Sequence, residues 1–401
     1  MLFDLEDLVE AYFSCRKRKR RTQNALKFEL NWEKELITLQ KELTNRTYYP
    51  GRSICFVVTY PKAREVFAAD FRDRVVHHVL VDKLEPYFEK RFIYNSFACR
   101  KNKGAHFAIE RLKKALNQVT CNKTAPAYYL QVDVKSFFCT LDKRILYRII
   151  QDVLYQDSGF VKTKEELLWL VRTIIYHDPT KHFYFKGERD FLNALPADKT
   201  LFKAGADKGL PIGNLTSQFF ANIYLDKLDQ FAKRELKAKY YFRYVDDILI
   251  LSEDYNQLLE WRERIGSFLK KELNVELNHK KDKLGSVWQG IDFVGYFVNP
   301  EYTLSRTRVV KNLKTKLHYF NSGYLLVPNS RKQQMLPLRV PISRKELVKM
   351  VSTINSYYGH FRHADTYNLR KHLYTNHFGI LKEYLSPTNS FSSFTINEQY
   401  Q

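Results

Sequence analysis

The sequence predicts an α+β fold, and three observations lead to it. Short runs of β-favouring apolar residues recur at Ile54–Val58, at Tyr128–Asp133 and on both sides of Tyr244-Val245-Asp246-Asp247. Longer stretches between them carry apolar residues at three- and four-residue spacing, as Leu36, Leu39 and Leu43 do, the period of a helix with one buried face. At 401 residues the chain can bury a substantial core and is long enough for two or three subdomains.

Composition narrows the class. The 66 Lys and Arg outnumber the 44 Asp and Glu, a formal net charge of +22, which points to a polyanionic partner because neutralising phosphates releases counterions. A structural nucleic-acid-binding protein would show the same excess, so charge alone does not indicate an enzyme. Cys15, Cys55, Cys99, Cys121 and Cys139 are scattered without a Cys-x-x-Cys pair, which argues for a reducing, cytosolic setting and against a zinc site. No apolar run is long enough to span a membrane, and Asp4, Glu6 and Asp7 spoil the amino terminus as a signal peptide.

Taken in order, Leu2–Phe13 predicts a short helix running into Arg16, Lys17, Arg18, Lys19, Arg20 and Arg21, six cations that suit a phosphate backbone. Asn24–Leu43 predicts one amphipathic helix, and Ile54–Val58 a strand followed by Lys62 and Arg64. Asp70–Leu84 is helical; His77 and His78, being adjacent, cannot both face one metal and read as packing or template-side residues. Ser96–Gly104 is a basic loop carrying Arg100, Lys101 and Lys103. Asp142 caps a helix that buries Ile145, Leu146, Ile149 and Val153, and the loop-rich stretch 177–205 predicts a hairpin. Gly209–Gly213 predicts a tight turn into a helix over Asn214–Lys233, and Trp261–Leu273 another helix. Asn321–Pro341 reads as a linker, and Ser343-Arg344-Lys345-Glu346 as a capping box ahead of Leu347, Val351 and Ile354. His360, His363, His372 and His377 lie among cations and read as phosphate-contacting or solvated; Ser386–Gln401 reads as a frayed tail.

The chemistry is concentrated in three acids. Asp246 and Asp247 occupy the turn between two apolar strands, and Asp133 ends a third strand about 110 residues upstream. Brought together, three carboxylates repel one another and are stable mainly around divalent cations. Two such ions suit phosphoryl transfer, one activating the attacking oxygen and one stabilising the leaving oxygen.

The strand ending at Asp133, the segment Gly209-Leu210-Pro211-Ile212-Gly213-Asn214-Leu215-Thr216-Ser217-Gln218 and the Tyr-Val-Asp-Asp hairpin follow one another as motifs A, B and C of reverse transcriptases do. Val275–Lys281 and Gly290–Val298 are similar to motifs D and E, so the chain resembles this family over most of its length. The resemblance implies a right-hand polymerase fold: an N-terminal extension and fingers over 1–127, a palm over 128–300 with inserted fingers at about 142–208, and a helical thumb and tail over 301–401. It implies catalysis by Asp133, Asp246 and Asp247, with these carboxylates and the Val134 backbone holding two Mg²⁺ ions, for which Mn²⁺ could substitute. Lys62 and Arg64 match positions that meet the incoming triphosphate, and Phe138 the ring set against the sugar 2′ carbon. Ile212 and Gln218 border the nucleotide, and Lys281 matches the proton donor to pyrophosphate. The Arg100, Lys101 and Lys103 loop matches the block that holds the template strand.

Ile212 stands where retroviral and group II intron enzymes usually carry Gln, and Gln218 where they carry Pro. Ile-Gly-x-x-x-Ser-Gln, Phe71–His78 and Gly359–Ala364 resemble the reverse transcriptases of diversity-generating retroelements, although Val245 departs from the more frequent Met. That family copies a template RNA into cDNA with errors at adenines, using deoxynucleoside triphosphates and a small basic accessory protein that forms a barrel. The resemblance thus implies a cytoplasmic protein, bacterial or phage-encoded. The alternatives are an antiphage-defence or retron-type reverse transcriptase, or a catalytically idle RNA-binding protein.

Overall fold

The computed structural model describes residues 2–17, 22–60, 62–157, 161–323, 325–326, 338–339 and 341–400. The chain opens with α1 (Leu5–Arg16), α2 (Gln23–Glu29), α3 (Trp32–Thr44), β1 (Ser53–Val58), β2 (Arg64–Ala68) and α4 (Phe71–Glu89). Next come α5 (Ala105–Val119), β3 (Tyr128–Asp133), α6 (Phe137–Thr140), α7 (Lys143–Gln156), α8 (Val161–Tyr176), β4 (Phe183–Phe185) and α9 (Arg189–Asn193). Then follow α10 (Leu215–Arg234), β5 (Tyr240–Tyr244), β6 (Asp247–Ser252), α11 (Tyr255–Leu273) and β7 (Lys283–Ser286). The chain closes with β8 (Ile291–Phe293), β9 (Tyr296–Val298), β10 (Thr303–Ser305), α12 (Thr307–Ser322), β11 (Leu325–Leu326), β12 (Leu338–Arg339), α13 (Arg344–Phe361), α14 (Tyr367–His377), α15 (Leu381–Tyr384), β13 (Leu385–Pro387) and β14 (Phe394–Ile396). This is the α+β fold the sequence predicts.

Two compact units form, residues 1–104 with 130–284 and residues 105–129 with 285–401. The first holds a sheet of order β2-β1-β4 and a sheet of order β5-β6-β3-β7, and α10 packs against α4, α7 and α11. Ile248, Leu249, Ile250 and Leu251 are all fully buried, the unbroken apolar run expected of a strand covered on both faces. α10 is buried nearly all round, with Phe219, Phe220, Ile223, Tyr224, Leu225 and Leu228 in the core. In the second unit, the meander β8-β9-β10 accompanies helices whose core gathers Leu313, Leu317, Ile354, Tyr358, Phe361 and Phe394.

Several boundaries match the sequence signals. Asp142 caps α7 by accepting from the Arg144 and Ile145 amides, and Ser343 with Glu346 forms the capping box of α13. Others differ. The helix expected over Asn24–Leu43 breaks into α2 and α3 at Asn31, and beyond the break Trp32 stacks on Tyr12 at 5.1 Å. Stretch 177–205 makes no hairpin: β4 instead adds parallel to β1, pairing Ser53 with Phe183 and Cys55 with Phe185. Over residues 386–400 the tail is ordered, because β13 pairs with β14 and Phe394 is buried against Tyr358 and Phe378. His360 is not a solvated cation site; it stacks on Tyr296 at 4.2 Å, while His363 stacks on His106 at 3.6 Å. Arg18, Lys19, Arg20 and Arg21, and most of the linker 321–341, lie outside the described residues. Among the described residues, no helix is long and apolar enough to cross a membrane.

Candidate active site

The hairpin of β5 and β6 pairs Tyr244 with Asp247, which leaves Val245 and Asp246 as a two-residue turn. Val245 has φ +55°, a conformation glycine adopts freely and a β-branched residue does not, at a cost of about 1–3 kcal/mol. Asp133 ends β3, which lies beside β6 in the sheet, so the strand order brings both acidic motifs to one sheet. Asp246 senses the other two acids. Burial first, then the charges of Asp133 and Asp247, push the Asp246 carboxyl up to about 7, against which its own backbone N–H and Lys281 act.

Lys281 forms an ion pair with Asp133 Oδ2, and the Asn278 side chain lies 3.5 Å from Asp133 Oδ1. The Asn278 amide donates to the Asp133 carbonyl at 2.8 Å and the Lys135 amide to the Glu276 carbonyl at 2.9 Å. These two bonds flank the antiparallel bridge of Val134 with Leu277, so the peptide groups of Val134 itself face the opposite strand edge, toward β6.

The donor chemistry, carboxylates with a backbone carbonyl, fits a hard divalent cation. A lysine ammonium already offsets the charge of Asp133, as a bound cation would. Among the described residues, no three His, Cys, Asp or Glu side chains are gathered closely enough to hold an ion as they stand.

The turn ahead of α10 is built against α6 and β2. The Leu210 amide donates to the Phe138 carbonyl at 2.7 Å, and the Ile212 carbonyl accepts from the Phe67 amide at 2.8 Å. Gly213 has φ +122°, and a Cβ there would lie 2.7 Å from Val66 Cγ1 and 3.2 Å from the Phe67 carbonyl oxygen, so only glycine fits. Phe138 and Ile212 are both half-exposed, Gln218 is exposed with its Oε1 3.3 Å from Cys99 Sγ, and Phe137 is the aromatic neighbour that is buried. Lys62 and Arg64 are exposed at the β1–β2 connection, where Arg64 pairs with Val58.

The basic loop resolves into different roles. Arg100, expected on nucleic acid, turns inward: its guanidinium binds Glu89 at 2.7 Å and the carbonyls of Ile93 and Ser96 at 2.8 Å, with 6% of the side chain exposed. It fixes the loop rather than reaching out. Lys101 stays exposed while pairing with Glu85 at 2.5 Å, and Lys103 covers the Tyr94 ring at 3.6 Å. Arg16 pairs with Glu29, and Lys17 is exposed.

Sequence reasoning missed Arg243. Its side chain is fully buried, bound to Asp229 through Nε at 2.7 Å and Nη2 at 2.7 Å, while Nη1 reaches Asn222 Oδ1 and the Val245 carbonyl, each at 3.1 Å. Tyr241 also donates to Asp229 at 2.8 Å. The available signal was a lone cation in a strand whose Tyr240, Tyr241 and Phe242 are all buried, since a cation there demands an acid, and α10 supplies one.

Comparison with known proteins places this geometry. Protein YkfC of Escherichia coli is 26% identical over 296 residues, 65% of this chain and 70% of that protein. A putative COX1/OXI3 intron 2 protein of Saccharomyces cerevisiae is 21% identical over 306 residues, 63% of this chain but 32% of its own length. Among solved structures, apo telomerase from Candida tropicalis, truncated from its C-terminal domain, matches with a TM-score of 0.47 at 14% identity, over 64% of this chain and 55% of its own. Telomerase from Candida albicans with a fragment of telomeric RNA matches with a TM-score of 0.45 at 13% identity, over 81% of this chain and 57% of its own. The chain therefore spans about half the length of the telomerase chains and a third of the yeast protein. The family model described as reverse transcriptase (RNA-dependent DNA polymerase) matches residues 61–298, more than half of the chain and all the elements that carry the acidic site. Members of this family use divalent metal ions, and the chain belongs to the reverse transcriptase family.

Proposed function

We propose that this chain is an RNA-directed DNA polymerase that copies a template RNA into error-prone cDNA for a diversity-generating retroelement. The observation that carries the polymerase reading is the acidic site: Asp246 in the β5–β6 turn, Asp247 opening β6, and Asp133 ending the neighbouring strand β3. In this reading Asp133, Asp246, Asp247 and the Val134 carbonyl hold two divalent cations, Mg²⁺ or in its place Mn²⁺. When bound, these cations would activate the attacking oxygen and stabilise the leaving one. Residues 1–127 carry the N-terminal extension and fingers, 128–300 the palm and 301–401 the thumb. Lys62 and Arg64 meet the triphosphate, Lys281 moves from Asp133 to the departing pyrophosphate, and Phe138 faces the sugar. Lys17, Lys101 and Lys103 lie along the nucleic-acid backbone.

The retroelement assignment rests on Ile212. A glutamine there can hydrogen-bond to the incoming nucleotide, whereas a branched aliphatic side chain cannot, and losing that contact weakens discrimination of a correct pair from a wrong one. Ile212→Gln is expected to lower misincorporation opposite template adenine more than opposite other bases, read by deep sequencing of cDNA made from one RNA, with the small basic barrel-forming accessory protein supplied. A wild type that copies adenines as faithfully as other bases removes the assignment and favours a defence-type enzyme.

A further inference from the structure

One peptide group joins the fully buried ion pair to the acidic turn. It is the peptide between Val245 and Asp246. On one side its carbonyl accepts from Arg243 Nη1 at 3.1 Å. On the other side its nitrogen is that of Asp246 itself, so the plane of this peptide carries the Cα from which the Asp246 carboxylate projects. The guanidinium cannot swing freely: Asp229 takes Nε and Nη2 in a forked pair, Asn222 shares Nη1, and both partners sit on the buried length of α10. Asn222 is held in turn, its amide donating to the Ala98 carbonyl at 2.8 Å. The backbone of Arg243 is pinned as well, its amide donating to the Asn95 carbonyl at 3.0 Å and its carbonyl accepting from the Phe97 amide at 3.1 Å.

A turn with a β-branched residue at φ +55° does not keep that shape by its own preference. A charge-assisted donor on the carbonyl that follows fixes the rotation of the peptide plane, and with it the direction from which Asp246 presents its carboxylate. Burying an ion pair merely to hold a hydrophobic sheet together would gain little, since desolvation offsets the attraction. Here the pair has a directional task.

We propose that Arg243 is a positioning residue for the metal site, setting the Val245–Asp246 peptide through its Asp229-anchored guanidinium so that Asp246 is aimed before any ion arrives. The inference rests on the polymerase reading above. It assigns no contact with substrate to Arg243. Its role is to pre-pay the ordering of a ligand, so its loss appears in cation affinity rather than in the fold alone.

The test uses the full chain with Mn²⁺ as probe, its free signal followed by electron paramagnetic resonance as protein is added, and melting measured on the same samples. Arg243→Lys keeps a charge opposite Asp229 but offers a compact ammonium that cannot span Asp229, Asn222 and the Val245 carbonyl together. The Mn²⁺ dissociation constant is expected to rise about ten-fold. Asp229→Asn combined with Arg243→Met removes both buried charges, which a core tolerates better than losing one, and is expected to show the same loss if the lysine variant does not fold. A folded variant with wild-type Mn²⁺ affinity overturns the inference and leaves Arg243 as a core ion pair. A wild type that neither holds Mn²⁺ nor extends a primer overturns the polymerase reading itself; one that does both while the variants match it overturns only the role of Arg243.

Discussion

The acidic hairpin and the helical core of the second unit are held by opposite means. At the hairpin, orientation comes from directional bonds: Arg243 and Asp229 are both fully buried, and their contacts run between 2.7 and 3.1 Å. Around α13, Tyr358, Phe378 and Phe394 pack with centroid separations of 4.6 to 6.2 Å and no charge among them. Directional networks fix an angle and fail together, whereas apolar packing holds a surface and loses stability by degrees. The proposed chemistry would sit on the first kind of support, which is where an aimed carboxylate is needed.

The largest effect should come from the acids themselves. Asp246→Asn or Asp133→Asn is expected to reduce primed synthesis on RNA by on the order of 10³-fold or more, about 4 kcal/mol of transition-state stabilisation, with the fold intact. Full extension by a folded variant would remove the metal role. On the apolar side, Ile354→Ala, in the middle of the α13 core, should cost about 2–5 kcal/mol and speed hydrogen exchange across Arg344–Phe361 while the β5–β6 amides stay protected. Equal loosening at the hairpin would mean the two supports are not separable.

A smaller effect is expected at Phe138, half-exposed beside the Leu210 turn: Phe138→Ala should cost roughly ten-fold in selectivity for deoxynucleotides over ribonucleotides, measured by competition on one primer. Unchanged selectivity would assign the gate to another side chain. The smallest effect is in pH. Full burial pushes His77 down to about 3, so between that value and its ordinary range the unfolded chain binds the extra proton, and stability falls as pH falls below about 6.5. His77→Leu should flatten part of that slope in urea melts taken from pH 7.5 to 4; His106, His177, His360 and His377, which burial also depresses, slope the same way, while Asp73, Asp226 and Asp246, which burial raises, slope the opposite way.

Much of this was legible because it is local. The Tyr-Val-Asp-Asp turn, the Asp142 cap and the Ser343 capping box each depend on residues within four positions, and each forms where the pattern places it. What was not legible depends on distance in sequence. Arg243 meets Asp229 and Asn222, 14 and 21 residues away, and nothing in the strand's own pattern names them. Arg100 looks like a reaching cation until Glu89 and two carbonyls claim its guanidinium. β4 was misread as part of a hairpin because a parallel partner more than a hundred residues earlier leaves no turn to detect.

The glycine at 213 has a consequence for motion. Because its missing Cβ lets the turn touch β2 directly, with the Ile212 carbonyl bonded to the Phe67 amide, there is no slack between that strand and the turn. Any swing that carries the β1–β2 connection, with Lys62 and Arg64, must carry Ile212 along as part of the same body. A hinge for such a swing must therefore lie elsewhere in the chain. A larger residue at 213 would pry the two apart, and the β1–β2 connection would then be able to move without carrying the turn ahead of α10 with it.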